Sequence, residues 1–164
     1  MLKSALSFLS LALCSFSVMA QEESSQHWHM VQVSPKNMMA ADVHGSVDGG
    51  AGVRRTMVAL YFSAPQRSDD NQPIDFIVFQ EEFDCTTPGR YRMIEGDGYI
   101  ANLTKPVDSA RPENPQWQTV SQKADGFLVW KAVCLEPMEG TALHGFSVHE
   151  DVLAHYRRIA HTLE

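Results

Sequence analysis

Two cysteines constrain this chain more than any other feature of its sequence. Residues 1–20 read as a secretory signal peptide: Lys3 supplies the positive start, Ala5 to Val18 an apolar run, and Val18 and Ala20 the small residues at minus three and minus one before Gln21. The run falls short of the roughly 20 apolar residues that a membrane span needs. Leu13 precedes Cys14 and the apolar run continues past it, so Cys14 belongs to the discarded signal and is no lipid-anchor site. That leaves Cys85 and Cys134. In an oxidising compartment two such cysteines pair. Closing a loop of about 50 residues in the unfolded chain contributes roughly 4 kcal/mol by the chain-entropy argument. There is no C-x-x-C motif, so the expected bond is structural rather than redox-active.

The remaining length fits one domain. The expected organisation is signal peptide 1–20, flexible polar leader 21–27, disulfide-stapled domain 28–147 and C-terminal helix 148–164. Losing the signal removes Lys3 and no acid, which takes the formal charge from -7 to -8. Such acidity argues against nucleic acid as a partner. No later stretch is apolar enough to cross a bilayer.

Alternation marks the strands. Trp28 to Val33 alternates, Ser34-Pro35-Lys36-Asn37 turns, and Met38 to Val43 is a weaker second strand. Asp48-Gly49-Gly50-Ala51-Gly52 is a hairpin turn. It leads into Val53 to Ser63, apolar on both faces and therefore expected to be central and doubly covered. Ala64 to Pro73 reads as a solvated loop. In the strand Ile74 to Cys85, Ile77, Phe79, Phe83 and Cys85 share the face expected to point inward, interrupted by Glu81. Phe76, Val78, Gln80 and Glu82 share the opposite face. Thr86-Thr87-Pro88-Gly89 turns the chain into Arg90 to Glu95. Gly96-Asp97-Gly98 reads as a turn or a bulge, with one more strand expected at Tyr99 to Leu103. Thr104 to Pro115 reads as a surface loop, and Trp117 to Val120 as a short edge strand. The run 127–135 satisfies helical spacing through Phe127, Trp130 and Cys134 and strand propensity as well; Ser121 or Asp125 would cap it as a helix. Val148, Val152, Tyr156, Ile159 and Leu163 trace one stripe at steps of three and four, with acids before and arginines after, which predicts an amphipathic helix.

Chemistry-bearing patterns are sparse. His27 and His29 put two imidazoles on one face of an extended segment, an arrangement that suits zinc, copper or nickel if further ligands converge; a mobile leader with incidental histidines is the simpler account, and no cofactor is expected. His144, His149, His155 and His161 read as solvated histidines. Glu81, Glu82, Asp84 and Glu95 read as the solvated face of a sheet, not as paired catalytic acids. Hydrolase elbow, phosphate loop and metalloprotease motifs do not occur. These observations point away from an enzyme. Phe76, Val78, Gln80 and Glu82 are the candidate protein-binding surface, for another protein or for a second copy as a homodimer.

The order of elements has a counterpart. Trp28 opens a strand, Asp42 to Ser46 and Val47 follow, a long strand ends in Phe83-Asp84-Cys85, and Tyr91-Arg92 comes soon after. Trp117 precedes a segment that closes on Lys131-Ala132-Val133-Cys134. This resembles the bacterial surface-adhesin protein E family over roughly residues 28–135. The resemblance implies an α+β fold: an antiparallel β-sheet of about six strands with a helix packed on it, tied to the sheet through Cys85 and Cys134. The C-terminal amphipathic helix lies beyond it. The adhesin that names the family is a dimeric outer-membrane lipoprotein that binds host proteins such as vitronectin and laminin. Without a lipobox, this chain is expected to be periplasmic or secreted rather than lipid-anchored.

Overall fold

The computed structural model describes residues 28–43, 45–135 and 149–163. The expected signal peptide and leader, with His27, lie outside them, as does His144. The core of the fold is one antiparallel sheet of eight strands: β1 (Trp28–Val33), β2 (Asn37–Asp42), β3 (Val47–Gly50), β4 (Val53–Arg67), β5 (Pro73–Asp84), β6 (Arg90–Tyr99), β7 (Asp108–Ala110) and β8 (Gln118–Thr119). The main path runs β1-β2-β4-β5-β6-β7; β3 adds to β4 and β8 to β6. Among the described residues two helices pack on the sheet, α1 (Asp125–Cys134) and α2 (His149–Ala160). The α+β class stands as expected, with eight strands rather than about six.

The helices cover opposite faces of the sheet, and strand periodicity decides which residue meets which helix. On β4, Ala59 and Tyr61 turn towards α2 and Val58 towards α1. One core joins Met38, Ala40, Ala59, Tyr61 and Phe76 to Val152, Leu153, Tyr156 and Ala160. The other joins Ala41, Val58 and Phe83 to Val129, Trp130 and Val133. β4 is therefore central and covered on both sides, as its sequence indicates. The run 127–135 resolves as helix. Its cap differs from expectation: Ala124 occupies the N-cap position with no side-chain hydrogen bond, and Asp125 sits in the first turn.

Three local expectations need correction. β4 continues through Ala64-Pro65 to Arg67 and pairs again with Pro73 and Ile74, so the solvated loop shrinks to a tight connection at 68–72. The pairing loses register between Tyr61 and Gln66, which lets the strand carry Pro65. The pair Gly96 and Gly98 does not end β6. A Cβ on Gly96 would lie 3.0 Å from Phe79 and one on Gly98 3.0 Å from Ile74, so the glycines let large β5 side chains lean across the strand. The irregularity falls instead opposite Gln80 and Glu81, where Gln80 pairs with Glu95 and Glu81 with Met93. Lastly, β7 lies within the segment expected to be irregular.

Cys85 and Cys134 are bonded, S–S 2.00 Å, joining the residue after β5 to the last residue of α1. Beside them the Trp130 indole N–H donates to the Asp84 carbonyl at 2.9 Å and Arg54 Nη1 donates to the Val133 carbonyl at 2.7 Å.

Candidate functional site

Arg55, Glu82 and Arg92 stand side by side on β4, β5 and β6 because the two registers align them and all three point to the α2 side of the sheet. Glu82 is 5% exposed at its side chain, against 48% for Arg55 and 32% for Arg92. One carboxylate oxygen accepts from Arg55, from Nε at 3.0 Å and from Nη2. The other accepts from Arg92, Nε at 2.7 Å and Nη2 at 2.6 Å. Burial raises the Glu82 carboxyl, but hydrogen bonds and charge from both guanidiniums outweigh it and hold the group below the usual carboxylate range.

One row further on, the Thr86 hydroxyl and amide bind the Asp84 carboxylate, and Arg90 Nη1 meets it at 3.2 Å. Those partners, the Thr86 hydroxyl foremost, hold the Asp84 carboxyl below its ordinary value. Trp117 lies over both neighbouring arginines, its ring centroid 4.6 Å from the Arg92 guanidinium carbon and 5.1 Å from that of Arg90. The outcome is a partly exposed face of Arg55, Arg90, Arg92 and Trp117, locked from beneath by two buried acids. Flanking it, Arg111 pairs with Glu95 at 3.0 Å and with Asp97 at 2.9 Å.

The surface expected from the sequence is only partly open. Phe76 is 3% exposed because α2 lies on it, and Val78 packs against the same core. Gln80 is half-buried, and Glu82 is buried between its arginines rather than solvated. The shared face of these four residues is as expected; its exposure is not. Position 82 marks where the helix-covered half gives way to the charged half. Of the residues on the arginine–tryptophan face, Trp117 is one that the sequence offers to either a core or a recognition surface, whereas Arg55, Arg90 and Arg92 are not among its candidate site residues. The turn at Pro88-Gly89 contained the signal, since folding the chain back there sets Arg90 opposite Asp84 and Arg92 opposite Glu82.

His149, expected to be solvated, sits instead among Trp28, Tyr61 and Phe76 at the start of α2. Half-buried His29 lies on β1. Among the described residues no group of three or more His, Cys, Asp or Glu is arranged to hold a metal ion. No helix among them is long and apolar enough to cross a membrane.

Glu81 faces the α1 side, opposite Thr56 and Met93, and burial pushes its carboxyl up to about 7. Its charge, after burial, helps raise the Tyr91 hydroxyl. The unfolded chain ionises this group near pH 4.3 and the folded one near 7, so between those values folding takes up a proton. The Glu81 contribution to stability is full below about pH 4 and is lost as pH rises towards 7. Glu81→Gln is therefore expected to stabilise the protein at pH 8 by on the order of 1 kcal/mol or more, with no gain at pH 4. Urea melts at the two pH values measure the difference.

Comparison with known proteins supplies the decisive observation: the surface-adhesin protein E family matches residues 28–135, from the first residue of β1 to the residue after α1. The chain belongs to the surface-adhesin protein E family. The match contains the whole sheet, α1, the disulfide and the arginine–tryptophan face of this adhesin-family chain, while α2 lies beyond it. A curated protein, the UvrABC system protein B of Streptomyces avermitilis, is 26% identical over 89 residues, covering 51% of the chain and 12% of that protein. The chain thus spans about an eighth of that relative's length. No solved structure matches.

Proposed function

We propose that this protein is an exported, non-enzymatic adhesin-like module that binds extracellular-matrix proteins of the vitronectin and laminin kind through Arg55, Arg90, Arg92 and Trp117. Family membership supports the surface-acting, adhesin-like part of the reading. The observation that carries the rest is the Trp117 ring over two guanidiniums whose other edges are held by buried Glu82 and Asp84. Tryptophan and arginine dominate the energetic centres of protein interfaces. Arginines already fixed in one geometry lose little further freedom on binding. Gln80 continues the same face towards α2.

Surface plasmon resonance against immobilised vitronectin and laminin tests the reading. The mature protein is expected to bind at least one of them. Trp117→Ala and Arg55→Gln should each weaken that binding by about tenfold or more. Val47→Ser, on the exposed β3 hairpin, should leave it unchanged. Binding to neither protein, or equal binding by all four forms, would refute the assignment.

A further inference from the structure

Helix α2 lies outside the family match and occupies a seat with specific features at both ends. Ala40 and Ala59, fully buried, form a low floor that lets Val152, Leu153 and Tyr156 press onto the sheet. At the far end, Arg157 Nη2 meets the buried Asp75 carboxylate at 2.6 Å and its Nε reaches the Phe62 carbonyl at 3.3 Å, while the Tyr156 hydroxyl donates to the Ser34 carbonyl at 2.9 Å. At the near end, the His149 ring stacks on Phe76 with centroids 5.2 Å apart and meets Trp28 edge-on at 5.1 Å. Its Nδ1 lies 2.6 Å from the Tyr61 hydroxyl. We propose that this sheet face is a helix-binding groove, that α2 is its resident occupant, and that His149 is the latch through which acid releases it.

The latch works through charge. Among the described residues, the groups that face His149 are the Tyr61 hydroxyl on β4, the rings of Trp28 on β1 and Phe76 on β5, and Glu150 on α2 itself. Only Glu150 opposes a positive ring. Burial holds the imidazole below its ordinary value, against the pull of Glu150. The seated helix therefore prefers neutral His149. Docking has its full strength above about pH 6.5 and weakens as pH falls below that value, levelling off once the seated ring is itself protonated. What opens is an apolar strip flanked by the Asp75 carboxylate and an aromatic notch, a groove that reads an amphipathic helix by its i, i+3, i+4 and i+7 positions.

Hydrogen exchange of the full-length protein at pH 7.5 and pH 5.0 tests the proposal, with amides of 150–160 expressed relative to those of β4 so that intrinsic rate changes cancel. Relative protection of α2 is expected to fall severalfold at pH 5.0. His149→Phe, which keeps an aromatic ring, and His149→Gln, which keeps a hydrogen-bonding side chain, should each abolish the pH response. A labelled peptide of residues 149–163 carrying His149→Phe should bind the wild-type protein at pH 5.0 and not at pH 7.5. Equal relative protection at the two pH values, or an unchanged response in both His149 variants, would overturn the latch. Failure of the peptide to bind at pH 5.0 despite loosened α2 would overturn the groove.

Discussion

Replacing Cys85 and Cys134 together with serine is expected to lower the melting temperature by roughly 10 °C or more, without abolishing the fold. The bond closes a sequence separation of 49 residues, for which the chain-entropy argument gives about 4 kcal/mol. In a domain whose total stability is about 5–15 kcal/mol, that share is large. The fold should survive because α1 has other holds on the sheet: Val129, Trp130 and Val133 are buried in the core it shares with Ala41, Val58 and Phe83. Reductant should produce the same drop in the wild-type protein and none in the double variant. A scanning calorimeter reads both effects.

Trp130→Ala is expected to cost about 3–5 kcal/mol, the range for truncating a large buried aromatic. Trp130 is 4% exposed, stacks on Phe127 with ring centroids 5.5 Å apart, and donates to the Asp84 carbonyl beside the disulfide. The truncation leaves a cavity under α1 and removes the indole donor from the Asp84 carbonyl, which keeps only the Thr87 amide at 3.3 Å. Trp130→Phe separates the two losses: it refills much of the cavity while still omitting the hydrogen bond, so about 1 kcal/mol of its cost belongs to that bond. Urea unfolding with an unchanged denaturant slope would show that the change lies in native stability.

The strand pattern was readable because apolar alternation is a local property. Trp28 to Val33, Ile74 to Asp84 and the doubly apolar β4 all announce themselves within a few residues. Pairing across the sheet is less visible. Gly96 and Gly98 carry a turn signal in isolation, yet they serve β5 side chains that only the register brings to them. His149 looked solvated because its aromatic neighbours come from three other strands. The candidate site shows the same limit. Alternation put Phe76, Val78, Gln80 and Glu82 on one face of β5, but the exposure of that face depends on a helix more than 60 residues later and on arginines from the two flanking strands. Charged residues at alternate strand positions look solvated until a partner strand places opposite charges across from them.

The central claim is that the arginine–tryptophan face, not the helix-covered half of the same sheet side, meets the partner. Hydrogen exchange of the protein alone and in complex with whichever matrix protein it binds tests this most directly. The account predicts new protection in the segments holding Arg55, Gln80 to Asp84, Arg90 to Arg92 and Trp117, with α2 unchanged at neutral pH. Protection confined to α2 and β1, with those segments exchanging as freely as before, would contradict it.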